Sequence, residues 1–410
     1  MADQSASLTT LSNLFKVKYD KKSYAAFNRA NPLFQALDKQ YNFKGKSLAL
    51  DAVLGFTGSV GSGTLPETNV YQQENAALTR KKMYARILLD REAIIASKGE
   101  DAAFEQATKR QVKKGVESWN RNLERCLFAF ENGKLFEGDN STVVTGAGTS
   151  IAPYVVVALA STWVLSFVEQ KDYVNVGSET TQLEITAVNK TTRAVSLVGT
   201  SATLAAVSST GGSSSATTAK VYMQKSKDND VDSILRICKA TSSTLYGITV
   251  GRGWQSVQTD ASAAGITTDA INQLVTDVEF QAGESPTLLV TSFKQYRKVQ
   301  DLLGDKLRYM SQSNRDPVFK KAGFNFKGIE WNTQNGAAVL ISSRMCPDDH
   351  FFALNMDQIT LFMAEQPKWA DEDGTVLLRS STADAYEARY IGYGDIFVHP
   401  NAQGVLYNLA

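Results

Sequence analysis

Between Ser97 and Gly133 the chain carries one uninterrupted apolar stripe, and no other feature restricts its fold as strongly. In SKGEDAAFEQATKRQVKKGVESWNRNLERCLFAFENG, the residues Val112, Val116, Trp119, Leu123, Cys126 or Leu127, and Phe130 recur at steps of four and three, which places them on one face of an α-helix. Ser97 and Glu100 form a capping box, and Asn132-Gly133 supplies a left-handed stop, so both ends are signalled. The predicted helix runs about 35 residues and roughly 50 Å, several times the usual length. In a mixed chain a helix that long is a strut, with Val112, Val116, Trp119, Leu123 and Phe130 as its core contacts.

What flanks the strut is extended. LFKVKYDKKSYAAFNRANPLFQALDKQ mixes basic positions with isolated apolar ones and breaks at Pro32, which predicts an arm ending in a short helix. SLALDAVLGF and KKMYARILLD, the second alternating apolar at Met83, Ala85, Ile87 and Leu89, predict two strands. The glycine-rich GFTGSVGSGTLPETNV between them is a long flexible tip. From about Asn140 to Lys225 the composition shifts to Val, Thr, Ser, Gly and Ala. There DYVNVGSETTQLEITAVNKTTRAVSLVG alternates between turn signals, predicting an inserted small antiparallel barrel or sandwich, with SSTGGSSSATTA as its low-complexity tail. The remainder alternates helix and strand. TTDAINQLVTDVEF sets Ile271, Leu274, Val275 and Val278 on one helical face, PTLLVTS is a short buried strand, and SFKQYRKVQDLL is a helix capped by Ser292. GIEWN, AAVLISS, HFFALN and DIFVHPNAQGVLYNL follow as strands.

At 410 residues the chain holds two to four domains, or one with large insertions, and 43% hydrophobic with 21% charged residues is the composition of a folded globular protein. Lys+Arg 43 against Asp+Glu 42 leaves a net charge of +1, so no global field draws it to nucleic acid or an anionic membrane. The three scattered cysteines, Cys126, Cys238 and Cys346, fit neither a disulfide framework nor paired metal ligands and point to a reducing compartment. MADQSASLTTLSNLF lacks the basic and apolar regions of a secretory signal. IAPYVVVALASTWVLSFV, Ile151 to Val168, is uncharged, but its Pro, Ser, Thr and β-branched clusters predict buried strands or a core helix over a membrane span.

Motifs for catalysis fail one by one. FKGKS has Gln40 where a phosphate loop needs its leading glycine, and V-G-R-G-W lacks the spacing and strand-to-helix context of a dinucleotide site. Gly283-Glu-Ser-Pro-Thr287 lacks the last glycine of a nucleophile elbow. His350 and His399 have no partner motif, so both are expected at a surface or interface. Asp228, Asp230 and Asp232 begin like a calcium loop, but Ser233 and Lys239 replace its glycine and glutamate, so a solvated acidic linker is expected. Cys346-Pro-Asp-Asp-His350 offers two zinc donors without a second pair, and Asp371-Glu-Asp-Gly374 reads as an exposed turn. The basic runs TRKKMYAR (Thr79 to Arg86) and KRQVKK (Lys109 to Lys114) are solvated faces, or patches for nucleic acid or an acidic neighbour. No cofactor or metal is expected, nor enzymatic activity.

Taken in order, these parts resemble the major capsid protein of tailed bacteriophages, with the HK97-type fold. The residues that carry the resemblance run from DSILRICKATSSTLYGITVGRGW through TTDAINQLVTDVEFQAGESPTLLVTSFKQYRKVQDLL to YEARYIGYGDIFVHPNAQGVLYNL, and Tyr246, Gly247, Ile248, Trp254 and Pro286 match the family in type and order. The resemblance implies an α+β fold with an N-terminal arm (1–44), an E-loop hairpin (45–95), a spine helix (96–138), an inserted β-rich domain (139–226), a P-domain (227–266 with 366–410) and an A-domain (267–365). It implies that the hairpin tip, with Gly55, Phe56, Gly58, Gly61, Gly63, Leu65 and Pro66, touches neighbouring subunits. The implied function is self-assembly, as hexamers and pentamers, into an icosahedral virion shell around double-stranded DNA held by non-specific contact. Portal, scaffolding and decoration proteins are the implied partners, the bacterial cytoplasm the place of assembly, and no membrane is involved. An encapsulin-like nanocompartment is the alternative. The family's covalent cross-link is not carried over, because its residues find no match here.

Overall fold

The computed structural model describes residues 32–55, 72–91, 115–129, 133–137, 154–158, 167–176, 182–189, 191, 194–198, 220–241, 244–251, 253–303, 328–334, 336–371, 378–379 and 384–410. In chain order, helix α1 (Pro32–Ala36) leads into β1 (Asp38–Gln40), β2 (Ser47–Gly55), β3 (Gln72–Thr79) and β4 (Lys81–Asp90). Helix α2 (residues 115–127) follows. Next come β5 (Lys134–Glu137), β6 (Tyr154–Ala158), β7 (Tyr173–Val176), β8 (Leu183–Asn189), β9 (Ala194–Val198) and β10 (Lys220–Met223). Then α3 (Ile234–Cys238), β11 (Thr244–Leu245), β12 (Ile248–Thr249), β13 (Val257–Asp260), α4 (Thr268–Ala282), β14 (Leu288–Thr291) and α5 (Phe293–Leu303). The chain closes with β15 (Ile329–Thr333), β16 (Gly336–Ser342), β17 (Phe351–Leu354), β18 (Ile359–Met363), β19 (Lys368–Trp369), β20 (Leu378–Arg379), β21 (Ala385–Val398) and β22 (Gln403–Tyr407). Among the described residues, no helix is long and apolar enough to cross a membrane.

Two units are distinguished: residues 1–48, 79–124 and 360–395 in one, and 49–78, 125–359 and 396–410 in the other. The first is organised by the 14-residue strand β21. Along Ala385–Gly394 it pairs antiparallel with all of β4; β18, β19 and β20 also pair with it, and β1 runs parallel to β18. The alternation of β4 divides its side chains: Ile87 and Leu89 are buried, while Lys82, Tyr84, Arg86 and Leu88 face solvent. On the buried face Trp119 of α2 meets Tyr390 edge-on at 5.4 Å. A Cβ on Gly392 would lie 2.8 Å from Trp119 Cζ2, so only glycine admits the helix at this distance.

The second unit holds a six-stranded mixed sheet in the order β13-β22-β17-β14-β16-β15. Its central strand β14 is buried at every position, since neighbours cover both faces, and it is therefore apolar over Leu288–Val290 where a half-buried strand would alternate, while the buried Thr291 hydroxyl donates to His350 O at 3.0 Å. Helix α4 starts where Thr267 Oγ1 accepts from Ala270 N at 3.1 Å and stops at Gly283 in the left-handed region. Its stripe of Ile271, Leu274, Val275 and Val278 packs on Leu289, Leu340, Phe351 and Leu406, each such burial contributing about 1.5–3 kcal/mol. Ser292 Oγ accepts from Gln295 N at 3.3 Å and caps α5 as the sequence predicts. Strands β5 to β10 form a separate antiparallel sheet in the order β5-β10-β7-β8-β9-β6, with Val174, Leu183, Ile185, Val195, Leu197 and Val221 buried. Its first and last strands, β5 and β10, are paired neighbours, so the chain enters and leaves by one two-stranded stem that begins before the expected boundary at 139.

Several expectations are corrected. The returning strand of the hairpin is β3, not KKMYARILLD: β2 and β3 form their own two-stranded sheet, and the backbone of β4 is taken up by β21. Helix α2 ends at 127, short of Asn132-Gly133. Phe128 N and Ala129 N tighten the last turn onto Arg125 O (3.1 Å) and Cys126 O (3.2 Å), and the Ser233 hydroxyl donates to Ala129 O at 2.6 Å, so a tertiary contact satisfies the helix end. Asp230 and Asp232 are no solvated linker, because they accept from Arg125 (3.2 Å) and Arg236 (2.7 Å), and the Arg125 side chain is buried. His350 is buried, its Nδ1 2.7 Å from Asp349 Oδ1 and its ring stacked on Phe352. The sheets cut across the boundaries drawn at 266/267 and 365/366, since β13 and β22 share one sheet with β14, β16 and β17.

Candidate assembly interface

The hairpin root is built on Tyr246 and Gly247. Leu245 pairs with Ile248 across a two-residue turn, and both turn residues have positive φ, 56° and 89°, the backbone of a type I′ connection that tolerates glycine far better than other residues. Tyr246 adopts it because its side chain is held: the phenol donates to Ile396 O (3.0 Å) and accepts from Val398 N (3.3 Å), and the ring packs on Phe397. Its carbonyl accepts from Ala77 N of β3 at 2.8 Å, which ties the hairpin to this turn. Trp254, fully buried, donates its Nε1–H to Leu245 O at 3.2 Å. Tyr246, Gly247, Ile248 and Trp254 thus form one cluster, whereas Pro286 is buried at the approach to β14.

Beyond that root, Ala76 and Leu78 are buried while Asp51 and Glu74 face solvent. Gly55 closes β2; Phe56, Gly58, Gly61, Gly63, Leu65 and Pro66 lie outside the described residues, as do Val112, Phe130, the arm before Pro32 and the run KRQVKK. Val116, Trp119 and Leu123 are buried.

Two exposed surfaces carry apolar and charged groups together. In the sheet unit Phe280, in the last turn of α4, is 92% exposed, and Phe293 and Leu302 of α5 are also exposed. In the other unit Tyr84 and Leu88 stand exposed on β4 beside Arg86, Glu387 and Arg389, with Tyr84 edge-on to Tyr393 at 6.3 Å. Motif reasoning passed over Glu387 and Arg389; the only signal was the basic run ending at Arg86.

The reactive side chains are engaged in packing. Burial pushes the Cys126 and Cys238 thiols up to about 12, and Cys346 is buried as well. His399 lies edge-on against Trp254 at 5.0 Å, and its burial lowers its pKa. The Ser285 hydroxyl donates to Glu279 at 2.6 Å. Among the described residues, no group of three or more His, Cys, Asp or Glu is placed to hold a metal ion.

With this geometry in view, likeness to known proteins is informative. The capsid of cyanophage A-1(L) is similar in structure, with 12% identity, 93% of each chain covered and a TM-score of 0.50. The capsid of a native GTA particle has 11% identity over 92% of this chain and 90% of that one, with a TM-score of 0.46. The SrpI encapsulin of Synechococcus elongatus has 9% identity over 93% and 89%, with a TM-score of 0.41. No curated protein sequence matches. The fold is the HK97-type α+β capsid fold. Residues 167–376, half of the chain and most of its sheet unit, match the SU10 major capsid protein family, and the chain is therefore a member of that family, a capsid shell protein.

Proposed function

We propose that this subunit assembles as hexamers and pentamers into the icosahedral head of a tailed phage, around double-stranded DNA. One observation carries the reading of how it does so. Among the described residues the hairpin β2–β3 is a sheet of two strands, and a two-stranded hairpin is marginal in water unless something covers it. A neighbouring subunit is the cover that a closed shell of identical copies provides.

In this reading the chain before β1 is an arm, β2 and β3 are the E-loop with its tip at Gly55 to Pro66, α2 belongs to the spine helix and the β5–β10 sheet is an outward module. The unit organised by β21 then belongs to the P-domain, and the six-stranded sheet with α4 and α5 to the A-domain. The role is structural, without catalysis. DNA is held by salt-sensitive phosphate contacts, while portal, scaffolding and decoration proteins join in the bacterial cytoplasm. Replacing residues 56–71 by a short turn tests this: the subunit should stay folded by circular dichroism and fail to form megadalton particles in electron microscopy. Normal particles from that deletion refute the hairpin's role, and wild-type particles that carry an enzyme in place of nucleic acid indicate a nanocompartment.

A further inference from the structure

A buried carboxylate lies at the negative end of α4. Glu279, in the last turn of that helix, is 8% exposed. Its Oε1 is served twice, accepting from the Ser285 hydroxyl at 2.6 Å and from Gln334 N at 3.0 Å. Its Oε2 is closed to solvent and accepts no hydrogen bond among the described residues. The last turn of α4 holds no basic residue, and the ion pairs among the described residues use other carboxylates. The last carbonyls of a helix carry partial negative charge and add to the cost of an anion there. A buried charge so placed is expensive enough that something positive must accompany it.

A second stranded oxygen comes from β15. Burial alternates along that strand: Trp331 is buried and Thr333 half-buried on one face, while Glu330 and Asn332 are exposed on the other. The covered face meets α4, since Trp331 Nε1 donates to Asn272 Oδ1 at 3.0 Å, and Asn272 lies about two turns before Glu279 on the same side of the helix. Thr333 shares that face, and the next backbone N–H, of Gln334, reaches Glu279 Oε1. The Thr333 hydroxyl oxygen is also buried and makes no hydrogen bond among the described residues. Two unpaired oxygens, one of them charged, thus stand on the two sides of one helix–strand contact.

The chemistry selects the occupant. Both oxygens are closed off from the surface, so a lysine or arginine of another copy does not reach them, whereas a small ion does. Oxygen donors without nitrogen or sulfur favour hard cations over zinc or copper. Calcium gathers about six to eight oxygens with several carboxylates among them, and magnesium keeps waters of its own, but here one carboxylate stands among neutral oxygens. One positive charge leaves the buried site neutral, and two leave it charged. We propose that an alkali-metal cation bridges Glu279 Oε2 and Thr333 Oγ1 and pins the end of β15 to α4. The site lies inside one subunit and is independent of assembly.

Thermal melts of the full-length, unassembled subunit in the chlorides of sodium, potassium and N-methylglucamine, at equal ionic strength, test the site. Wild type should melt about 2–4 °C higher in sodium or potassium than in the organic cation, which is too large to enter, and the better of the two ions identifies the guest. Glu279→Gln keeps the shape, removes the charge and should melt at one temperature in all three salts. Thr333→Val should lose at least half of the difference, whereas Glu330→Gln, on the exposed face of β15, should keep it. Sodium NMR of wild type, its line broadened by the protein and sharpened again by potassium, reads binding directly and decides the matter if Glu279→Gln does not fold. Equal wild-type melts in the three salts, or a sodium line that the protein leaves sharp, overturn the proposal. So does a Glu279→Gln chain that keeps the difference between salts. A Glu279→Gln chain more stable than wild type in every salt overturns it in favour of a proton on Oε2, and a larger rise in calcium chloride overturns the choice of a monovalent ion.

Discussion

Gly392→Ala probes how closely α2 lies on β21. The added methyl would sit 2.8 Å from Trp119 Cζ2 and 3.3 Å from Met363 Cε. The first distance falls well inside the ~3.5 Å lower end of ordinary carbon contact, so the indole must withdraw by about 0.7 Å. It has little room to do so, because Tyr390 meets it edge-on at 5.4 Å and the residue is fully buried. Overpacking of this kind costs about 1–3 kcal/mol. Trp119→Phe removes the ring edge that carries Cζ2; it destabilises by itself, but in that background Gly392→Ala should cost under ~0.5 kcal/mol, a coupling of about 1–2.5 kcal/mol. Urea melts of the four unassembled subunits, followed by far-UV circular dichroism, give the cycle directly. Equal costs in the two backgrounds, or no cost in wild type, would refute the close approach of Trp119 to β21.

Tyr246→Phe removes the hydroxyl that serves Ile396 O and Val398 N in a buried site and should destabilise by about 1–3 kcal/mol, read as a lower urea midpoint. Arg125→Met leaves Asp230 without its buried partner and should cost about 3–5 kcal/mol, whereas adding Asp230→Leu should recover most of it; thermal melts of the three proteins decide. His399, its pKa lowered by burial, is kept neutral in the fold, so its contribution is full above the ordinary value of 6.5 and is lost as pH falls below it. Melting temperatures between pH 7.5 and 5 should therefore fall less steeply for His399→Asn than for wild type. Residues 134–223 expressed alone should melt cooperatively with a β-type spectrum, since their six strands close one sheet; a featureless spectrum would show that the module needs its host.

Local features were legible in the sequence because local physics fixes them. The stripe of α4, the caps at Thr267 and Ser292 and the left-handed stop at Gly283 each depend on residues within a turn or two. The same holds for the tight turn at Tyr246-Gly247 and for the alternation that turns Ile87 and Leu89 inward and Arg86 and Leu88 outward. The order of these parts was enough to bring out the capsid resemblance that family membership of residues 167–376 then established.

Pairing across long stretches of chain was decided only in three dimensions. KKMYARILLD announces a strand, yet period-two alternation names a face and never a partner. That its partner is Ala385–Gly394, some three hundred residues on, follows from competition among every strand that could satisfy the same backbone groups. The end of α2 depends on a hydroxyl at Ser233, the role of Asp230 on a guanidinium at Arg125, and the burial of His350 on rings that the fold gathers around it. The Arg86–Glu387–Arg389 triad is of the same kind. In the sequence each reads as an ordinary charge, and their ion pairs exist because antiparallel register sets Arg86 opposite Arg389 with Glu387 within reach of both.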